Sequence, residues 1–124
     1  MRKKILVVDD NADTRDLTHL HLTNEEFTVI TAADGQEGLY MAGAEYPDLI
    51  ITVITMPGLD GLEMVRQLRT QPEHKHVPIL VLTALGTEDM DQAIRAGANR
   101  AMSKPVLLDA LTDEVKELLS EAPQ

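Results

Sequence analysis

Asp9 and Asp10 stand side by side where the apolar run at residues 5–8 ends. Adjacent carboxylates suit a hard cation such as Mg²⁺, which takes oxygen ligands and keeps several waters. Thr83 closes a second apolar run, and Ser103-Lys104-Pro105 follows a third segment. A hydroxyl and a lysine suit a phosphoryl group, the first as a hydrogen-bond donor and the second as a point charge. Phosphoryl transfer rests mainly on positioning and charge neutralisation, so the set lacks only a nucleophile. The stretch PDLIITVITMPGLDG at 47–61 looks built to deliver one, yet its apolar run reaches Val53. A valine has no atom that can attack or accept a phosphoryl group.

These residues converge only if their segments lie parallel. Short β-branched and aliphatic runs alternate with longer amphipathic stretches. Residues 5–8, 27–31, 49–54 and 79–83 read as strands, and 100–103 as a fifth, assigned from its place in the alternation. Helices are expected over 12–23, 35–45, 61–70 and 87–96, with Asp34 as an N-cap and Gly97 just past a C-terminus. Leu17, Leu20 and Leu22 are expected near one side of the first helix. Leu62, Val65, Leu68 and Arg69 fall at helical spacing. Leu107, Leu108, Leu111, Val115, Leu118 and Leu119 form the stripe of a last helix. Strict β-α alternation with short connections predicts an α/β fold, a doubly wound parallel sheet covered on both faces. In such sheets ligands gather at the carboxyl ends of the strands, where Asp9, Asp10, Val53, Thr83 and Lys104 all stand.

The totals narrow the function. A chain of 124 residues fits one domain, here residues 1–121 with a frayed tail at 122–124. With aromatics at 2% the core must be aliphatic. A net charge of −10 disfavours nucleic acid and membrane surfaces. No stretch approaches the roughly 20 apolar residues of a spanning helix, and the opening MRKKILVVDD is too briefly apolar for a signal peptide. A cytoplasmic location is the expectation, and the lack of cysteine excludes disulfides and thiolate metal sites.

In this order and at these strand ends, LVVDDN (6–11), PDLII…MPGLDG (47–61), VLTA (81–84), AGA (96–98) and SKP (103–105) resemble the response regulator receiver domain of two-component signalling. The resemblance covers nearly the whole chain and is chemotaxis-regulator-like. It implies a flavodoxin-like (βα)5 sandwich with strand order 2-1-3-4-5. It also implies that Asp9 and Asp10 match the family's Mg²⁺-holding acidic pair, and that the Thr55 backbone carbonyl completes the metal shell. Thr83 matches the hydroxyl that meets the phosphoryl oxygen, and Lys104 the lysine that pairs with the phosphorylated carboxylate. Pro105 matches a proline usually preceded by a cis peptide bond. The phospho-accepting aspartate falls on Val53, making the site degenerate. The family's aromatic switch position falls on Ala101, which has nothing to swing.

Other residues read as structure. Thr52 should face away from Val53 by strand alternation, while Thr55 and Asp60 belong to the following turn. Lys104 is expected to settle as a salt-bridge partner of Asp9 and Asp10, so that no cofactor is required and Mg²⁺ binding is weak or absent. His74 and His76 flank Lys75 in what reads as a solvated connector rather than a metal site. His19 and His21, two positions apart, cannot share a helix face. Gly58 is placed for a turn with positive φ.

These readings converge on a stand-alone receiver that is not an enzyme, has no catalytic residues, and works without phosphorylation as a monomeric protein-interaction module. Its expected partner is a histidine kinase or another signalling protein, contacted through residues 87–119. The alternative is a conventional phospho-aspartate receiver whose acceptor was replaced by Val53. A phosphatase of similar topology would need an Asp-x-Asp pair after the first strand, which Asp9-Asp10-Asn11 does not supply. In some DNA-binding relatives a Glu and an Arg after the Lys-Pro pair support dimers. Here those positions are Ala110 and Glu114.

Overall fold

In the computed structural model of the chain, residues 2–84 and 86–121 are described. Five strands, β1 (Lys4–Val8), β2 (Thr28–Ala32), β3 (Leu49–Val53), β4 (Ile79–Thr83) and β5 (Arg100–Ser103), form one parallel sheet in the order β2-β1-β3-β4-β5. Between and after them run α1 (Ala12–Asn24), α2 (Gly35–Glu45), α3 (Gly61–Arg69), α4 (Thr87–Ala96) and α5 (Leu108–Glu121), with a short 3₁₀ turn at Pro72–His74. Each residue of β3 and β4 is buried, whereas β2 and β5 are partly open. That gradient follows from composition: the central strands, covered on both faces, are aliphatic apart from Lys4, Thr52 and Thr83, and the edge strands carry Thr28, Arg100 and Ser103. Each fully buried aliphatic side chain, such as Ile5, Leu49 or Leu80, contributes roughly 1.5–3 kcal/mol from apolar burial.

The register sets the carboxyl rim. Val8 lies level with Ala32 and Thr52, Val53 with Leu82, and Thr83 with Ser103. Past those ends the chain enters three helices through side-chain caps. Asn11 accepts from the Thr14 N–H (2.9 Å), Asp34 from Glu37 (2.8 Å) and Asp60 from Glu63 (2.8 Å). Gly58 and Gly97 take positive φ, 74° and 122°, as the turn and the helix end require.

Three expectations fail. Leu17 and Leu20 are 58% exposed, while Leu22 is fully buried. At 100° per residue they project more than a third of a turn away from Leu22, and the buried stripe of α1 is Thr18 and Leu22. The polarity of Thr18 is satisfied by donation to the Thr14 carbonyl at 2.9 Å. Leu107 precedes α5 and is 75% exposed; Leu111, Val115 and Leu118 carry the buried face. His74 is not solvated. The 3₁₀ turn points it inward, leaving it 1% exposed beside the Tyr46 ring, whereas His76 is exposed. The tail at 122–124 lies outside the described residues.

Candidate functional site

The carboxyl ends of β1, β3, β4 and β5 enclose a cleft of about 370 Å³. Asp9, Asp10, Val53, Thr55, Thr83 and Lys104 all line it, together with Asn11, Thr14 and Asp89. Ala101 does not. It lies within β5, half-buried and paired in register with Val81.

Asp9 leaves β1 with its N–H on the Ala32 carbonyl (3.1 Å) and is 4% exposed. Its Oδ1 accepts from the Asn11 N–H at 3.0 Å, and its carbonyl accepts from Arg15 Nη1 at 2.8 Å. Asp10 is exposed. Val53 ends β3 with 6% exposure, presenting hydrocarbon to the cleft. Behind it, the Gly61 N–H closes on the Ile54 carbonyl at 2.8 Å. A Cβ on Gly61 would overlap the Val53 carbonyl, so only glycine lets α3 begin there. Thr52 is fully buried and donates its hydroxyl to the Val53 carbonyl at 2.9 Å; it is absent from the cleft lining. Asp60 is engaged as the α3 cap.

Thr83 is 3% exposed and donates Oγ1 to Asp89 Oδ2 on α4 at 3.1 Å. Lys104 is anchored by its own N–H on the Thr83 carbonyl at 2.7 Å, and its peptide bond to Pro105 is cis. The expected Lys104 salt bridge to Asp9 and Asp10 is not formed. Among the described residues Lys104 has no acidic partner within 4.0 Å. Asp9 is already bound by main chain and buried, while Lys104 sits on the open rim.

Asp89 was hidden in the sequence. An acidic residue in the first turn of a helix is ordinary complement to the helix dipole, and nothing local says that it reaches across to β4. His21 was also set aside, yet its Nε2 lies 2.9 Å from Thr112 Oγ1, joining α1 to α5.

Two carboxylates and a carbonyl are oxygen donors that suit a hard, partly hydrated cation such as Mg²⁺ rather than a closed metal cage. Among the described residues no group of three His, Cys, Asp or Glu side chains is placed to hold a metal. None of the described helices is long and apolar enough to cross a membrane.

Residues 5–116 match the response regulator receiver domain family. The chain is 42% identical over 120 residues to the alkaline phosphatase synthesis transcriptional regulatory protein PhoP of Bacillus subtilis, covering 96% of this chain and 49% of PhoP. It is 39% identical over 107 residues to the response regulator PleD of Caulobacter vibrioides, covering 86% of this chain and 24% of PleD. It thus spans about half or less of these two relatives. Among solved structures, the receiver domain of sensor histidine kinase PA1611 from Pseudomonas aeruginosa, with magnesium coordinated in its active-site cleft, superposes with a TM-score of 0.90. That match has 27% identity and covers 98% of this chain and 100% of the other. Strand order, cleft and sequence together place this chain in the response regulator receiver domain family of two-component signalling.

Proposed function

We propose that residues 1–121 act as a single pseudo-receiver unit, a protein-interaction module of two-component signalling that works without being phosphorylated. The observation that carries this reading is Val53. It occupies the end of β3, at the cleft position where the family resemblance puts the phospho-accepting carboxylate. Neither neighbour offers a substitute: Thr52 is bonded into the backbone, and Asp60 caps α3. Asp9, Asp10 and the Thr55 carbonyl would hold Mg²⁺ weakly, Thr83 and Lys104 are relict phosphoryl-site groups, and Ala101 replaces the aromatic switch.

In this reading the chain is not an enzyme. It acts in the cytoplasm as a monomer, binding neither nucleic acid nor membrane. The partner is a histidine kinase or another signalling protein, met through residues 87–119. Two features support that surface. Ile94 on α4 is 48% exposed, and Arg100 of β5 holds Glu114, Glu117 and Glu121 of α5 at 2.7–3.2 Å, giving the face a fixed pattern of charge.

The second reading, a conventional receiver whose acceptor became Val53, is favoured by the otherwise assembled cleft. Wild type and Val53→Asp, each treated with acetyl phosphate or beryllofluoride and Mg²⁺, separate the two. The pseudo-receiver reading expects no mass adduct on the wild type and no amide NMR response beyond that to Mg²⁺ alone; a stable phospho-adduct there overturns it. A Val53→Asp chain that is phosphorylated and changes conformation favours the second reading.

A further inference from the structure

At the amino-terminal end of the sheet, opposite the cleft, one guanidinium gathers four segments. Arg69 in the last turn of α3 donates through Nε to the Gly97 carbonyl (2.9 Å) and through Nη1 to the carbonyls of His74 (2.9 Å) and Lys75 (3.3 Å). Its Nη2 donates to Asn99 Oδ1 (2.9 Å), which also accepts the Ile79 N–H (2.9 Å). The end of α3, the 3₁₀ turn, the α4–β5 connection and the start of β4 are thereby tied together.

The His74 ring is packed into this seam. It is 1% exposed, its centroid lies 6.1 Å from that of Tyr46, and its Nε2 has no hydrogen-bond partner. A neutral imidazole tolerates this, because one nitrogen is only an acceptor. A protonated ring would make both nitrogens donors and place a charge where the buried Nε2 meets no acceptor. The charged and titratable groups around it are Arg69 from α3, Tyr46 from the α2–β3 connection, and Glu73, Lys75 and His76 from its own segment. Glu73 is exposed, and no described carboxylate lies within ion-pair distance of the ring.

We propose that His74 is an acid-responsive latch: proton uptake drives its ring out of the seam beside Arg69 and Tyr46 and frees residues 70–78 from the start of β4. Burial holds the ring below the ordinary histidine range, with attraction to Glu73 opposing that shift and repulsion from Arg69 adding to it. The closed form therefore binds fewer protons than the open one. The latch stays shut above the ordinary imidazole value and opens as pH falls below it.

Amide hydrogen exchange of the full chain at about pH 7.5 and about pH 5, corrected for intrinsic rates, tests this alongside an NMR titration of the His74 ring. Protection of residues 70–78 and 97–99 is expected to fall about tenfold more than that of α1 between the two conditions. His74→Phe should remove the difference and His76→Gln should keep it. A wild-type ring titrating in the ordinary range with unchanged local protection overturns the latch. So does an acid response that survives in His74→Phe or vanishes in His76→Gln. Should His74→Phe fail to fold, the wild-type titration and exchange decide alone.

Discussion

Thr83 Oγ1 and Asp89 Oδ2 lie 3.1 Å apart, so the end of β4 is tied by a side-chain hydrogen bond to the first turn of α4. Thr83 is buried at the cleft, and Asp89 sits on the helix that opens the proposed partner surface. The bond links the cleft floor to that surface without any phosphoryl group. It also gives α4 an anchor that its Gly86 cap lacks, since Gly86 supplies no side-chain cap.

Asp89→Ala should therefore loosen the start of α4. Loss of one hydrogen bond with a charged acceptor, together with a dipole-complementing carboxylate, should cost about 1–2 kcal/mol. Urea unfolding measures the cost, and hydrogen exchange should show reduced protection concentrated in Thr87–Ala96. Asp89→Asn, which keeps an acceptor oxygen, should retain most of the protection. Equal loss in both variants would assign the effect to the charge alone.

Val53→Asp places a third carboxylate beside Asp9 and Asp10 in a position only 6% exposed. Without a cation this should cost roughly 1–3 kcal/mol through desolvation and like-charge repulsion. Millimolar Mg²⁺ should return part of that loss by binding the folded form. The Tm gain on adding MgCl2 is thus expected to be larger for Val53→Asp than for the wild type. Equal gains would mean that a carboxylate at residue 53 adds nothing to cation binding in the cleft.

Arg69 donates to three carbonyls and the Asn99 side chain. Arg69→Met keeps much of the stem's packing and removes all of these donors, so a loss of about 2–3 kcal/mol is expected. Arg69→Lys should recover little, because an ammonium cannot reproduce the planar fork that reaches these acceptors together. Denaturant midpoints of the two variants should lie close to each other and well below the wild type.

Much of this architecture is legible in the sequence because the central strands are almost wholly aliphatic, and even β5 follows from its place in the alternation. Asp9, Val53, Thr83 and Lys104 could be placed together because each stands at, or one residue past, the end of a strand of a parallel sheet. Interactions set by distant chain were not legible. The stretch Glu73-His74-Lys75-His76 reads as solvent-facing until the Tyr46 ring, far away in sequence, is seen covering His74. In α1 a threonine shares the buried stripe, so counting leucines assigned Leu17 and Leu20 to the wrong side. Opposite charge suggested a Lys104–Asp9 pair, but the backbone had already claimed Asp9.

Gly61 gives the sharpest test of how tightly residue 53 is framed. At the first position of an ordinary helix, glycine to alanine is neutral or stabilising by several tenths of a kcal/mol. Here the added Cβ would meet the Val53 carbonyl carbon at 3.0 Å and the Ile54 Cα at 3.1 Å, and would overlap the carbonyl oxygen. These contacts are backbone, which cannot swing aside like the tip of a long side chain. Either α3 retreats or the end of β3 shifts, and the Gly61 N–H bond to Ile54 is strained in both cases. Gly61→Ala should thus reverse its usual sign and cost about 1–3 kcal/mol. Its largest amide shifts should fall on residues 53–55 and 61–64, away from the Arg69 seam. A neutral Gly61→Ala would mean that the β3–α3 junction yields easily, and that the position of Val53 is not held by the helix behind it.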